Sequence, residues 1–275
     1  MTDAIAKTFN RRPRAYEDPN FLHSPDARAL RILAEYLEPN SRFKHYKIED
    51  TIIFFGSARM IPRERARTEL EAARADGGDL KRARLRLELS EYYEATRELA
   101  RRLTEWSKSL PDTERRFVVC SGGGPGIMEA ANRGASEAKG INVGLNISLP
   151  YEQVENPHIS RELVFEFHYF FMRKFWFAYL AKAVVVMPGG FGTLDELFEL
   201  LTLIQTRKIR KHLPIVLFGS RYWAEVVDFN ALEAHGTIDP EDLELFFRTD
   251  SVDEAFDYIT EQLKAYSLAT PGPTL

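Results

Sequence analysis

The chain has 275 residues, 44% of them apolar, which is enough for one sizeable core with at most an appended subdomain. Its 37 Lys and Arg against 41 Asp and Glu leave a formal charge of −4, which excludes a general attraction to nucleic acid or to anionic lipid. A single cysteine, Cys120, excludes an intrachain disulfide framework and a cysteine metal cluster, and no metal site is expected.

The polar stretch Met1 to Asp18 has no apolar signal region, and the longest apolar stretch, Phe175 to Met187, is interrupted by Lys182. The sequence therefore reads as a soluble, cytoplasmic protein without a membrane span. Met1 to about Asn20, including the basic cluster Arg11-Arg12-Pro13-Arg14, lacks periodicity and is expected as a draped, solvated arm. A helix over Ala27 to Leu37 follows, then the apolar strand Ile52 to Phe55.

Arg63 to Lys108, broken at Asp76-Gly77-Gly78-Asp79, predicts a helical hairpin. Its second arm carries Leu85, Leu89, Tyr92, Tyr93, Thr96, Leu99, Leu103 and Trp106 as an apolar stripe to pack on a sheet, while the first arm reads as solvated or partner-facing. Strand and helix then alternate. Strand Phe117–Cys120 precedes helix Ile127–Lys139. Strands Ile141–Leu149 and Leu163–Phe167 follow, then helix Phe171–Lys182 and strand Ala183–Met187. Helix Leu194–Lys208, strand Pro214–Phe218, helix Arg221–Asn230, an extended Leu245–Arg248 and helix Val252–Tyr266 complete the pattern.

This alternation predicts an α/β fold, a Rossmann-like doubly wound parallel sheet with helices on both faces. Residues 51–266 would form that domain, with 63–110 inserted as the hairpin. Residues 1–50 would be an N-terminal arm and helix, and 267–275 a frayed tail.

Three strand ends carry chemistry. Pro188-Gly189-Gly190-Phe191-Gly192-Thr193 joins a strand to a helix whose first turn holds Asp195 and Glu196. Such a turn presents backbone N–H groups and a helix N-terminus, a ready anion site, although a glycine turn of this kind is often only a tight connection. Ser121-Gly122-Gly123-Gly124-Pro125-Gly126 forms a second such junction, and Gly56-Ser57-Ala58-Arg59 a third, adding a hydroxyl and a guanidinium. In a doubly wound sheet all three face the edge where ligands collect. Neither glycine loop fits G-x-G-x-x-G, since Ile127 or Glu129 stands where the last glycine belongs. The strand ending in Asn146-Ile147-Ser148 lacks the acid that would hold a ribose diol. No Gly-Lys-Ser/Thr follows either loop, so a monophosphate is the simpler guest.

Arg173 and Lys174 open an otherwise aromatic and apolar helix, where cations oppose the dipole. An anionic ligand and an ion pair with Asp195, Glu196 or Glu166 account for them equally well. Phe171, Phe175, Trp176 and Tyr179 are read as core or dimer packing, not base-stacking groups.

The combination of Ser121-Gly-Gly-Gly-Pro-Gly-Ile-Met-Glu-Ala-Ala-Asn132, Phe170-Phe-Met-Arg-Lys174 and Pro188-Gly-Gly-Phe-Gly-Thr-Leu-Asp-Glu196 resembles the Lonely Guy family of nucleoside 5′-monophosphate phosphoribohydrolases, whose signature is P-G-G-x-G-T-x-x-E. The resemblance covers roughly Thr51 to Phe229. It implies a Rossmann-like homodimer or higher homo-oligomer that needs no cofactor. The implied reaction is hydrolysis of the N-glycosidic bond of AMP-like nucleotides, cytokinin nucleotides included, to free base and ribose 5-phosphate. Members have also been labelled lysine decarboxylases, yet no lysine here sits in an obvious pyridoxal-phosphate motif.

By the same resemblance Arg173 and Glu196 are the essential arginine and glutamate. Gly123, Gly124, Gly126, Gly189, Gly190, Gly192 and Thr193 would cradle phosphate, with Gly56, Ser57, Met172 and Lys174 completing the substrate site. Arg59, Glu129, Asn132 and Asn156, with the loop Glu152 to His158, are candidates for base recognition. The long N-terminal segment and the hairpin depart from short plant-type members, so plain AMP is as good a substrate expectation as a cytokinin nucleotide. A non-catalytic carrier of a phosphorylated pterin such as molybdenum cofactor is the alternative, since it needs the loops but not the acid.

Overall fold

The computed structural model describes residues 13–111, 115–149 and 156–273. Arg11, Arg12 and most of the loop proposed for base recognition lie outside these residues. The elements run α1 (Pro19–Leu22), α2 (Arg28–His45), β1 (Thr51–Phe55), α3 (Arg63–Ala75), α4 (Leu80–Ser109), β2 (Val118–Ser121), α5 (Ile127–Glu137), β3 (Asn142–Ile147) and β4 (Val164–Phe167). Then follow α6 (Phe170–Leu180), β5 (Ala181–Val186), α7 (Phe191–Gln205), β6 (Ile215–Phe218), α8 (Ser220–Val226), α9 (Phe229–Ala234), β7 (Phe247–Thr249) and α10 (Val252–Tyr266).

The seven strands form one sheet in the order β4-β3-β2-β1-β5-β6-β7, and every neighbouring pair is parallel. This is the doubly wound Rossmann-like architecture expected from the alternation. The chain winds outward from β1 to β4, then returns to lay β5 on the other side of β1. That reversal opens a crevice at the C-terminal ends of β1, β2 and β5.

Because helices cover both faces, β1, β2, β5 and β6 are buried along their whole length and are mostly apolar, with Thr51, Ser121 and Lys182 as the polar exceptions. Alternate residues supply two cores. Ile53, Phe55, Val184 and Val186 face α2, α6 and α7 through Phe43, Trp176, Phe177 and Leu197. Ile52, Phe54, Ala183 and Val185 face α4, α5 and α10 through Leu99, Leu103, Ile127 and Ile259. No helix among the described residues is long and apolar enough to cross a membrane.

The hairpin forms as expected, with the break at Asp76 to Asp79, where the Asp79 side chain caps α4 by accepting from Arg82 N at 2.9 Å. Its stripe is buried only from Tyr93 onward. Leu85 is exposed, because the first turns of α4 run past the sheet and are covered only by α3 through Ala66 and Leu70.

Several boundaries differ from the sequence reading, each for a tertiary reason. The first long helix continues beyond Leu37 to His45, through Pro39, because Phe43 packs on Phe165 and Trp176 with ring centroids 4.8 and 5.3 Å apart. Through Phe43 this helix packs against the core of the sheet, although most of its residues face outward. The single helix expected over Arg221–Asn230 is two, because Val227 is extended and Asp228 caps α9 by accepting from Ala231 N.

Lys182, expected to end a helix, lies within β5 and is 2% exposed. Its ammonium sits 3.7 Å from Asp50 Oδ1 and donates to Thr270 O at 3.2 Å. Arg116 donates to the same buried Asp50, to Ser267 O at 2.8 Å and to Leu268 O at 3.1 Å. These bonds hold residues 267–270 against the N-terminal edge of the sheet, where a frayed tail was expected. Burial pushes the Asp50 carboxyl up, against the opposing pull of Arg116 and Lys182. Asp50→Ala should cost about 3–5 kcal/mol, because it leaves two buried cations without their carboxylate. Urea unfolding with an unchanged m-value is the check.

Candidate functional site

The crevice is built on backbone contacts between its three turns. Ser57 N donates to Pro188 O at 3.0 Å, and Ile127 N donates to Ser57 O at 3.0 Å, so the turn after β1 ties the other two together. The contact is close enough to require glycine at Gly126. Its φ is +73°, and a Cβ there would stand 2.3 Å from Ser57 O.

Gly190 and Gly192 differ in kind. A Cβ on either would meet nothing within 4 Å. No contact within the chain requires them to be small, and the space beside them is open. The helix α7 begins three residues earlier than the sequence suggests, at Phe191, so Gly192 and Thr193 sit in its first turn. Gly190 provides no side-chain cap, and Leu194 N is the first to bond back, to Gly190 O at 3.0 Å. The preceding N–H groups have no intrahelical acceptor, and a helix N-terminus of this kind favours an anion. Thr193 is nearly buried against Gly189, whose carbonyl accepts from Tyr222 Oη.

Glu196 stands one turn further along α7, 6% exposed. Its Oε1 is 3.6 Å from Arg173 Nη2 and its Oε2 3.5 Å from Lys174 Nζ. Burial raises the Glu196 carboxyl above the ordinary range, while Lys174 and Arg173 pull it back. Lys174 is held by Glu199 at 2.6 Å and Asp195 at 2.8 Å. Burial would lower its ammonium, but hydrogen bonds to Asp195 and Glu199 outweigh that, and its pKa rises.

The sequence left ligand and ion pair as equal accounts of the two cations, and the structure separates them. Lys174 is committed to carboxylates. Arg173 retains a buried Nε with no hydrogen-bond partner. Its guanidinium lies over the Phe170 ring at 5.3 Å, and Nη1 is 3.9 Å from where a Gly122 Cβ would be, so it reaches from α6 to the second glycine loop. Burial lowers its pKa, opposed by Glu196, Asp195 and Glu166.

A carboxylate also serves the start of α6, from a distance no local pattern reveals. Glu35 on α2 accepts from His168 N at 2.8 Å and Tyr169 N at 3.2 Å. That negative charge at the helix N-terminus offsets the placement of two cations in its first turns.

Not every expected residue faces the open space. Asn132 is fully buried and wholly engaged: its Oδ1 accepts from Ser121 Oγ at 2.6 Å and Asn156 Nδ2 at 3.0 Å, while its Nδ2 donates to Asn142 Oδ1 and Val143 O. Asn132 and Asn156 thus knit α5 to β2, β3 and the following loop. Glu129 accepts from Tyr93 Oη of the hairpin at 2.8 Å. Arg59 is exposed, and its backbone N donates to Ser57 Oγ at 3.1 Å. Met172 is buried in the core beneath the site.

The sequence reading named Glu166 only as an ion-pair partner and gave Asn146 no role at the site. Asn146 pairs in register with Glu166 across β3 and β4, and Glu166 accepts from Ser148 Oγ at 2.8 Å. Asn146 Oδ1 is buried beside Gly123 without a hydrogen-bond partner. An acid therefore stands beside the end of β3 on the adjacent strand, and only strand pairing places it there. Among the described residues, no group of three His, Cys, Asp or Glu is placed to hold a metal ion.

Residues 128–259, just under half of the chain, match the family described as "Possible lysine decarboxylase", the family that the motifs resemble. No curated protein matches. Among solved structures, the chain is similar to a structural-genomics target at 21% identity, covering 77% of this chain and 99% of that one, with a TM-score of 0.47. It is also similar to the Moco carrier protein from Chlamydomonas reinhardtii, at 18% identity over 78% of this chain and 99% of that one, TM-score 0.46. A molybdenum cofactor binding protein from Rippkaea orientalis matches at 16% identity over 77% and 96%, TM-score 0.42.

The two kinds of glycine make opposite predictions. Gly126→Ala should lower the melting temperature by several degrees, because strain and a backbone clash cost about 1–3 kcal/mol. Gly192→Ala should keep or raise it, since alanine is better than glycine in a helix by about 1 kcal/mol. The added methyl should nonetheless weaken phosphate-ester binding, read by calorimetry with AMP.

Proposed function

We propose that the chain hydrolyses the N-glycosidic bond of a purine nucleoside 5′-monophosphate, AMP or an N6-modified AMP, to the free base and ribose 5-phosphate. The observation that carries this reading is the buried Glu196 carboxylate, 3.6 Å from Arg173 and 3.5 Å from Lys174, one turn beyond a helix start whose glycines border open space. The family match over residues 128–259 supports a related chemistry.

In this reading the N–H groups of Gly192 and Thr193 and the second glycine loop hold the phosphate. This pins the sugar above Glu196. Cleavage of the ribosyl–purine bond leaves positive charge on the sugar. A carboxylate there stabilises that charge and orients or deprotonates the attacking water, whose oxygen bonds to C1′ as the base departs with the bonding electrons and takes up a proton. Lys174, fixed by Asp195 and Glu199, keeps Glu196 ionised despite its burial. The free Nε of Arg173 and the orphan Oδ1 of Asn146 offer a donor and an acceptor to phosphate and sugar oxygens. Exposed Phe170, Phe171 and Phe191 rim the site and suit burial against a second copy of the chain.

The test is incubation with AMP, isopentenyl-AMP, GMP and CMP, with free base quantified. Wild type should release base. Glu196→Gln and Glu196→Ala should lose about a hundredfold or more in kcat while still binding nucleotide. Unchanged ligand binding with no release by wild type would favour a phosphorylated-ligand carrier.

The pH profile is a second check. Glu196 acts as the carboxylate and burial raises its pKa, so activity should fall as pH drops through a value above the ordinary 4.5. An acid limb of kcat/KM at or below 4.5 would argue against Glu196 as the ionised group.

A further inference from the structure

A second groove, of about 620 Å³, lies at the opposite edge of the sheet, where Arg207, Arg210, Lys211 and His212 line it with a single acid, Glu244. That volume is within the range of small-molecule sites. The concentration of positive charge is unusual for a chain with a formal charge of −4. The half-buried arginines of α4 are paired, Arg97 with Glu137, Arg101 with Glu98 and Glu105, and Arg102 with Asp253. Among the described residues, the side chains of Arg207 and Arg210 have neither an ion pair nor a hydrogen bond.

Complementing helix dipoles does not account for all of this charge. Lys211 does serve α6: its Nζ donates to Ala178 O at 2.6 Å and Tyr179 O at 3.0 Å, the C-terminal carbonyls of that helix. Helix α7 ends at Gln205 with no basic residue in its last turn, so Arg207 and Arg210 stand beyond it. His212 lies against Tyr266, ring centroids 4.1 Å apart and tilted by 34°, and is bonded to Gln262. Two guanidiniums are left to present five donors each to whatever enters.

The other residues of the lining set the rest of the ligand. Tyr258, whose ring stacks on Phe247 at 4.5 Å, and Leu245 add an aromatic and apolar part to the lining. A bare inorganic ion would leave that surface unused. Guanidiniums favour phosphate oxygens through paired N–H donors.

We propose that this groove is a second binding site, separate from the glycine-loop edge, for an organic phosphate carrying more than one negative charge. Burial pushes the Lys211 ammonium down to about 7, and Lys182 adds to the depression while Asp50 opposes it, so an incoming anion would also restore charge on the groove floor. The groove borders the C-terminal ends of α6 and α7, the helices that carry Arg173 and Glu196. The inference stands independently of the proposed hydrolysis.

The test is calorimetric titration of the full chain at low ionic strength with ATP, pyrophosphate and inorganic phosphate as probes. Wild type, Arg207→Gln/Arg210→Gln and Arg173→Ala are compared. ATP should bind wild type in a component that the double variant weakens at least tenfold and that Arg173→Ala leaves in place. Both arginines are exposed, so the double variant should melt as wild type does. Arg210→Glu should weaken the same component further than the single Arg210→Gln.

Four results would overturn the proposal. One is ATP binding unchanged in the double variant. Another is loss of all ATP binding in Arg173→Ala, which places the ligand at the glycine loops. The third is no saturable binding by any probe. Inorganic phosphate binding as tightly as ATP would overturn the assignment of an organic ligand.

Discussion

The short backbone segment after β1 holds the candidate site together. Ser57 gives its N–H to Pro188 and its carbonyl to Ile127, so the turns after β5 and β2 are both referred to one residue. Both bonds are backbone bonds, and their geometry tolerates little slack. Gly126 closes against Ser57 and Ala58 because it has no side chain, and that approach aligns the start of α5 with the start of α7. With the two helix starts fixed, the residues that follow, Glu129 on one and Glu196 on the other, are placed within about a turn of the crevice.

The electrostatics of the fold are arranged around charges taken out of water. Burying Arg173 and Glu196 costs several kcal/mol per ion unless partners compensate, and at 3.5–3.6 Å the contacts to Glu196 are ion pairs without close hydrogen bonding. Lys174, Asp195 and Glu199 surround this pair with a network, and Glu35 reaches in from α2 to serve the start of α6. At the other edge of the sheet Asp50, Arg116 and Lys182 do similar work for stability, bonding carbonyls of residues 267–270. The two clusters differ in one respect. The edge cluster uses its donors on protein carbonyls and leaves the Asp50 Oδ1 without a hydrogen bond, 3.7 Å from the Lys182 ammonium, whereas the crevice keeps both a donor, Arg173 Nε, and an acceptor, Asn146 Oδ1, in reserve. Orphaned polar atoms are costly in a folded chain, and a donor and an acceptor left open beside the glycine loops suit an incoming ligand.

Where local pattern and tertiary environment agree, the sequence was a sufficient guide. The hairpin break at Asp76 to Asp79 and the span of α10 are examples, since a capping aspartate and Ser251 accepting from Glu254 N are local events. Lys182 shows the opposite. A lysine after an apolar helix reads as its end, and only Asp50, far away in sequence, makes it a strand residue. Asn132 had the type and position of a ligand-binding residue, yet its hydrogen-bonding capacity is spent on Ser121, Asn142, Val143 and Asn156. Glu166 was read only as an ion-pair partner, because its place beside Asn146 follows from the pairing of β3 with β4, which no spacing along the chain encodes.

By itself the sequence determined the parallel doubly wound sheet, the strand ends that carry glycine turns, and the presence of a basic pair and an acidic pair near them. Those features follow from period, turn chemistry and order along the chain, which are local. Tertiary structure alone decided which charges are buried together, which amides are consumed in holding loops, and which glycines are small for the protein's sake. It also brought Arg207 and Arg210 to a groove shared with Tyr258. The reason is physical: burial, desolvation and hydrogen-bond satisfaction depend on neighbours brought together across the sheet, and a residue's type does not reveal whether its donors and acceptors are already spent.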